Sequence, residues 1–102
     1  MIQAVEFTAE AKEDVQAGAR YYEDKLTGLG LQFATAVETE SKLMLNVPNR
    51  YPAVSGDVRQ CTVKRFPYTI YFRILENRLF VIFVYAVRRD PVELYKLLAQ
   101  RK

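Results

Sequence analysis

The chain has 102 residues, of which half are hydrophobic and 13% are aromatic, and its 15 basic and 12 acidic side chains give a net charge of +3. This length and composition predict one folded domain over residues 1–102 and argue against intrinsic disorder. The absence of histidine removes the usual general base near neutral pH and the commonest metal ligand. No apolar run is long enough to cross a bilayer, and the first ten residues lack the apolar core of a signal peptide. We therefore expect a cytoplasmic protein that holds no metal or other cofactor.

A short strand and two helices are predicted in the first half of the chain. Residues 2–7 have the pattern of a strand, and Thr8 is placed to cap the helix that follows. Apolar side chains then recur at helical spacing at Ala11, Val15, Ala19, Tyr22 and Leu26. Gly28 and Gly30 mark a break, after which a second helix ends before Pro48. The two helices are therefore expected to form an antiparallel hairpin.

Three strands and a terminal helix are predicted in the second half. Residues 48–57 are rich in proline, glycine and polar residues and are predicted to form a loop. Strands follow at residues 58–65, 68–75 and 78–87, with a short helix at 92–100. In the third strand, the positions that face each side of the sheet are almost all apolar, which predicts a central strand covered on both faces. The predicted fold is α+β, with an N-terminal strand, an antiparallel helix hairpin, a three-stranded antiparallel meander and a short C-terminal helix.

Two kinds of side chain that often carry chemistry are predicted to be structural here. The only cysteine, Cys61, excludes an intrachain disulfide, and its place in an alternating strand predicts a packed residue rather than a reactive thiol. Tyr68 and Tyr71 are predicted to pack with their hydroxyl groups at the surface rather than to act as catalysts.

Charge is distributed unevenly along the chain. Residues 1–47 carry four basic and eight acidic side chains, a net charge of −4, whereas the remainder carries eleven basic and four acidic ones, a net charge of +7. Because side chains alternate between the two faces of a strand, we expect the cations after the loop to gather on one water-facing surface opposite the helix hairpin. Such a surface attracts nucleic acid or an acidic protein segment. The alternatives are that Arg73 pairs with a carboxylate across the strands and that the other arginines are scattered solubilising charge.

Five short motifs follow one another along nearly the whole chain. They are Ala11, Asp14, Tyr21 and Tyr22 in the first helix, GLG-x-x-F at 28–33, P-x-x-YP at 48–52, RFPY-x-IYF at 65–72 and RRDP at 88–91. In this order and spacing they resemble the toxins of bacterial type II toxin-antitoxin modules, the RelE/ParE superfamily, often described as plasmid stabilisation proteins. The resemblance implies a small cytoplasmic protein that inhibits growth and is held inactive by a cognate antitoxin in a hetero-oligomeric complex.

One branch of the superfamily, the RelE-like toxins, is described as cutting mRNA on the ribosome without a metal. Its lysines and arginines stabilise the charge of the phosphorane, and a tyrosine or arginine near the C-terminus acts as acid or base. By the resemblance, the two strand lysines of that pattern fall on Gln60 and Thr62 here, and an arginine falls on Thr69. If the chain is a nuclease, the remaining candidates for catalysis are Lys64, Arg65, Arg73, Arg89 and Tyr95.

The RFPY and RRDP motifs more closely resemble the ParE branch, whose characterised members poison DNA gyrase rather than cleave RNA. That branch usually has a histidine before its arginine pair and a tryptophan after DP, where this chain has Ala86-Val87 and Leu94. The resemblance implies a protein-binding inhibitor without covalent chemistry, so DNA gyrase is the first predicted target and the mRNA endoribonuclease is the alternative. A general RNA- or DNA-binding domain comes third, because no groove-reading motif is present. The predicted target-binding residues are Arg59, Lys64, Arg65, Arg73, Arg88 and Arg89.

The antitoxin partner is predicted from the same resemblance. Such toxins are commonly neutralised by a largely disordered protein that folds on binding and lays a helix or strand across apolar grooves and basic patches. A groove between the helix hairpin and the sheet would suit this partner, and its predicted antitoxin-binding residues are Tyr22 and Leu26.

Overall fold

The computed structural model describes residues 4–87 and 91–101. Their helices and strands, in chain order, are β1 (Val5–Phe7), α1 (Ala9–Lys25), α2 (Leu29–Met44), a 3-10 helix (Pro48–Arg50), β2 (Ala53–Ser55), β3 (Val58–Thr62), β4 (Tyr68–Leu75), β5 (Arg78–Ala86) and α3 (Pro91–Arg101). The five strands form one sheet in the order β1-β5-β4-β3-β2. Within the described residues, no helix is both long enough and apolar enough to cross a membrane.

Local hydrogen bonds fix the start of α1. The Thr8 hydroxyl oxygen accepts a hydrogen bond from the Ala11 N–H at 3.2 Å, which satisfies one of the free donors of the first turn. The Thr8 N–H donates to the Val81 carbonyl at 3.0 Å, so the cap also fastens the helix to the sheet. The predicted cap is confirmed. The strand before it begins at Val5, later than predicted, and residues 2–3 lie outside the described part of the chain.

A glycine-rich turn joins α1 to α2. Gly28 has a φ of +91°, a left-handed conformation that residues with a side chain rarely adopt. The Glu23 carboxylate accepts hydrogen bonds from the N–H groups of Gly28 and Gly30, each at 3.0 Å, and so satisfies the first turn of α2. A Cβ on Gly30 would lie 2.5 Å from the Ala19 carbonyl oxygen, so the two helices pack closely at this point because glycine occupies it. The predicted helix hairpin is confirmed.

The strands β3, β4 and β5 form the predicted antiparallel meander. Cys61 lies opposite Ile70, and Tyr71 lies opposite Phe83. β5 lies between β4 and β1, which confirms the prediction of a central strand. β1 runs parallel to β5, so the sheet is mixed, a pairing that the alternation of side chains within each strand does not reveal.

The loop predicted over residues 48–57 holds regular structure, and that part of the prediction is wrong. It contains the 3-10 helix and the edge strand β2, in which Ala53 lies opposite Arg59. β2 is only three residues long, and pairing with β3 stabilises it rather than its own composition. β3 ends at Thr62, earlier than predicted, because the chain bends at residues 64–67 to begin β4.

Two hydrophobic cores lie on opposite faces of the sheet. One joins the helix hairpin to the sheet and includes Phe33 of α2 and Phe72 of β4. The other joins α3 to the sheet and includes Leu98 of α3 and Phe83 of β5. β5 is therefore covered on both faces, as its apolar sequence predicts. Cys61 is 6% exposed in the first core, which confirms that it is a packed residue.

An ion pair joins the first and last helices at the edge of β5. Within the described residues, β1 pairs with β5 only as far as Val81. Beyond that point the Asp14 carboxylate accepts hydrogen bonds from the Val84 N–H at 3.1 Å and from the Arg101 guanidinium at 2.6 Å. Arg101 also donates to the Ile82 carbonyl at 3.3 Å. These bonds satisfy backbone groups at the edge of β5 and hold α1 and α3 against the same strand.

Replacing Asp14 by alanine is expected to lower the free energy of unfolding by about 3 kcal/mol, because it leaves Arg101 without its carboxylate partner in a mostly buried position. Urea unfolding followed by circular dichroism measures the change. Lys42→Ala is the matched control: its ion pair with Glu38 is exposed on both sides, so a loss of about 0.5 kcal/mol or less is expected. A loss for Asp14→Ala no larger than that for Lys42→Ala would contradict a stabilising role for the Asp14 ion pair beyond that of an exposed pair.

Candidate functional site

An apolar groove runs between the second half of α1 and the sheet. It has a volume of about 390 Å³ and is lined by Tyr21, Tyr22, Lys25, Pro67, Tyr68 and Ala86. A smaller pocket of about 150 Å³ shares three of these residues and continues past Gly18 and Val84 to Asp14. A groove therefore exists between the hairpin and the sheet, where the sequence predicts one.

The two residues predicted to contact an antitoxin differ in their relation to this groove. Tyr22 lines it, and the Tyr22 ring also belongs to an aromatic cluster, with its centroid 4.9 Å from that of Phe66 and 5.2 Å from that of Phe33. Leu26 follows the last residue of α1 and is 63% exposed, outside the lining of the groove. Tyr22 is thus both a core residue and part of the wall of the groove. Leu26 is an exposed apolar side chain that follows Lys25 of the groove lining.

The rim of the groove carries a positive charge. The Lys25 ammonium nitrogen lies 4.7 Å from the centroid of the Tyr21 ring, a cation–π contact, and Tyr21 is 54% exposed. An apolar floor with an aromatic and cationic rim suits an amphipathic helix or strand that presents apolar side chains together with a carboxylate.

Among the described residues, the structure does not gather the predicted cations on one face. Arg59 lies opposite Phe72, whose side chain belongs to the core under the hairpin, so Arg59 points to the hairpin face. Its guanidinium donates to the Tyr51 carbonyl at 2.6 Å. Arg73 follows Phe72 along β4 and therefore points to the opposite face. The expectation of a single cationic surface is wrong for this pair. Because Arg59 is paired with Phe72 and not with Arg73, the two arginines project from opposite faces of the sheet.

Arg73 pairs with a carboxylate, as the alternative prediction stated. Its Nε and Nη2 atoms donate to Asp57 Oδ2 at 3.2 and 3.0 Å. Asp57 lies in the turn between β2 and β3, so the ion pair fastens the edge of the sheet to its centre. Arg59 and Arg73 both therefore have a structural contact in addition to any role in binding.

Lys64 and Arg65 are exposed and lie beside the hairpin rather than opposite it. With Thr35, Ala36, Thr39 and Glu40 of α2 they line a pocket of about 200 Å³. Within the described chain neither side chain forms an ion pair or hydrogen bond. The other predicted site residues, Arg88, Arg89 and the side chain of Tyr95, lie outside the described part.

The three positions that the sequence resemblance matches to nuclease cations, Gln60, Thr62 and Thr69, come together on one face of the sheet. Thr62 lies opposite Thr69, Thr69 lies opposite Tyr85, and Gln60 lies opposite Tyr71. These residues share the face on which α3 packs, because Tyr71 and Tyr85 belong to the core under α3. The three positions carry an amide and two hydroxyl groups, so none of the three supplies a positive charge to this face.

A polar cluster that the sequence does not reveal is buried beneath α2. The Cys61 thiol donates to Glu40 Oε2 at 3.6 Å, and the Glu40 side chain is mostly buried. Burial above all, and then the Glu40 carboxylate, raise the pKa of the Cys61 thiol to about 11. Burial also raises the pKa of Tyr51, whose hydroxyl bonds the same thiol. Among the described residues, no group of three or more His, Cys, Asp or Glu side chains is arranged to hold a metal ion.

Cys61 is expected to be alkylated slowly by iodoacetamide at pH 8 in the folded protein and rapidly in urea, because the thiol stays protonated and buried until the chain unfolds. In the unfolded chain the thiol has its ordinary pKa of 9.0, but in the folded protein its pKa is raised to about 11. Between these pH values the unfolded chain loses the thiol proton first, so the free energy of unfolding is expected to fall as the pH rises, compared with Cys61→Ala. Mass spectrometry and pH-dependent urea unfolding measure the two effects. Equal alkylation rates with and without urea would contradict the buried position.

Two solved structures share this fold. One is described as the chromosomal ParDE TA system from P. aeruginosa; it aligns with a TM-score of 0.76 at 20% identity, covering 85% of this chain and 98% of that one. The other is the isolated E. coli RelE toxin, which aligns with a TM-score of 0.60 at 16% identity over 95% of each chain. The chain therefore has the fold of the RelE/ParE superfamily, as predicted.

The sequence itself identifies the family within that superfamily. Residues 5–91 match the family described as the ParE toxin of type II toxin-antitoxin system, parDE. This match covers most of the chain, so the chain belongs to the ParE toxin family. No protein with a curated description matches it in sequence.

Proposed function

We propose that this chain is a growth-inhibiting toxin that binds DNA gyrase in the cytoplasm and is held inactive by a cognate antitoxin. The observation that supports a binding inhibitor over a nuclease is that Gln60, Thr62 and Thr69, which carry no charge, lie together on one face of the sheet. A metal-independent nuclease needs several cations within hydrogen-bond reach of one phosphate. Arg73, the cation nearest along β4, is already paired with Asp57.

The antitoxin part of the proposal rests on family membership and on the groove beside α1. A solved structure with the same fold is described as the chromosomal ParDE TA system from P. aeruginosa, and the family that this chain matches is described as the ParE toxin of a type II toxin-antitoxin system. We propose that the antitoxin lays an amphipathic segment into the groove against Tyr21 and Tyr22 and covers the exposed Leu26 beyond it. The two proteins would form a hetero-oligomer.

For target binding, we keep the six cations predicted from the sequence as the proposed binding residues. Lys64 and Arg65 are exposed, and residues 88–89 follow the end of β5. Arg59 and Arg73 also have structural bonds, so substituting them alters the sheet as well as any binding surface. Residues 88–89 are therefore the better positions for a test.

Changing Arg88 and Arg89 together to glutamate is expected to abolish growth inhibition while the far-UV circular dichroism spectrum stays unchanged, because the change reverses the charge of the proposed target surface. Growth after tightly controlled expression, and supercoiling by purified DNA gyrase in the presence of the purified chain, measure the effect. Arg20→Glu with Lys42→Glu is the control, since it changes the net charge equally at exposed helix positions. Full toxicity of the Arg88 and Arg89 variant would remove these residues from the target surface.

Leu26→Glu is expected to weaken antitoxin binding by about tenfold or more, because an apolar side chain that becomes buried on binding is replaced by a charge. Isothermal titration calorimetry with the antitoxin encoded beside the chain measures the affinity. Leu43→Glu is the control, since Leu43 is a partly exposed leucine near the far end of α2. An unchanged affinity for Leu26→Glu would place the antitoxin elsewhere.

A further inference from the structure

The pocket between α2 and the bend that joins β3 to β4 is distinct from the groove beside α1. Thr35, Ala36, Thr39 and Glu40 form its α2 side, and Lys64 and Arg65 form the other side. None of these residues lines the groove. The pocket, which we name the Lys64–Arg65 pocket, therefore needs an explanation of its own.

The backbone of Arg65 is held in an uncommon conformation. Its φ is +72°, in the left-handed region that residues with a side chain rarely adopt. Phe66, the next residue, is 7% exposed and packs with its ring centroid 5.3 Å from that of Phe33. The Val63 N–H donates to the Tyr68 carbonyl at 2.9 Å and closes the bend. The core thus fixes the bend and keeps Arg65 beside α2 before any ligand arrives, a kind of strained position that often serves function.

The groups around the pocket are suited to a single carboxylate. A lysine ammonium and an arginine guanidinium supply charged donors, and the guanidinium fork matches the two oxygens of a carboxylate. The hydroxyl groups of Thr35 and Thr39 supply further donors opposite them. A volume of about 200 Å³ is the size of one side chain rather than of a segment of polymer.

The charge around the pocket disfavours a nucleic acid. Glu40 lies in the pocket, within a first half of the chain that carries a net charge of −4. A run of phosphates crossing Lys64 and Arg65 would meet this carboxylate. One carboxylate from a protein of mixed charge meets two cations and avoids most of that repulsion.

We infer that the Lys64–Arg65 pocket binds the carboxylate of an acidic side chain on the antitoxin. This inference rests on the proposed function, because it supposes that an antitoxin binds the chain. The contact would cover two of the six cations proposed to bind the target. Antitoxin and target would then compete for the same two side chains, which gives neutralisation a direct cause.

The test compares two double variants of the full chain that change the net charge equally. The probe is the antitoxin encoded beside the chain, purified after co-expression, and calorimetry measures its affinity. Lys64→Glu with Arg65→Glu is expected to weaken binding by at least about tenfold, whereas Arg20→Glu with Lys42→Glu stays within about threefold of the wild type. Lys64→Arg with Arg65→Lys keeps both charges and is expected to retain most of the affinity. The difference between the glutamate variants is expected to shrink in high salt.

Thermal unfolding verifies that each variant is folded before its affinity is interpreted. Wild-type affinity in the folded Lys64→Glu and Arg65→Glu variant would overturn the inference and leave the proposed function intact. An equal loss in both glutamate variants would also overturn it, because the effect would then come from net charge alone. If the wild-type chain binds no antitoxin, the proposed function and the inference both fail. Loss of binding to a DNA or RNA oligonucleotide with unchanged antitoxin affinity would assign the pocket to nucleic acid and overturn the inference.

Discussion

The cross-strand register of β3, β4 and β5 determines which side chains share a face of the sheet. Because Thr62 lies opposite Thr69 and Gln60 lies opposite Tyr71, one face presents amide, hydroxyl and aromatic groups. Because Arg59 lies opposite Phe72, its guanidinium is on the other face and binds the Tyr51 carbonyl. The same register therefore separates Arg59 from Arg73, which lies on the face of Gln60, Thr62 and Thr69 and is paired with Asp57.

Covering both faces of β5 has a consequence for the binding surfaces. The helix hairpin occupies one face and α3 packs on the other, so much of the sheet is closed to a partner. Asp14 and Arg101 fasten this arrangement at the edge where β1 ends. Among the described residues, the accessible features include the groove along α1 and the Lys64–Arg65 pocket. Both are formed by side chains of helices and of the bends next to them.

Local patterns predicted much of the fold, and long-range contacts decided the rest. The Thr8 cap, the glycine turn and the bounds of β4 follow from neighbouring residues and are confirmed. The parallel pairing of β1 with β5 and the edge strand β2 depend on partners far along the chain. The alternation of side chains shows which residues share a face with each arginine within its own strand. Whether Arg59 and Arg73 share a face depends on the register between β3 and β4. The bond between Cys61 and Glu40 is hidden from sequence for the same reason.

The most direct measurement is a map of transcript ends in cells that have just begun to express the chain, made beside an assay of plasmid supercoiling. A toxin that binds gyrase through side chains, with a neutral face at Gln60, Thr62 and Thr69, is expected to leave messenger RNA intact while supercoiling is lost. Cleavage of transcripts at fixed codon positions with normal supercoiling would contradict it, and would mean that cations assemble around a phosphate by a route other than this face.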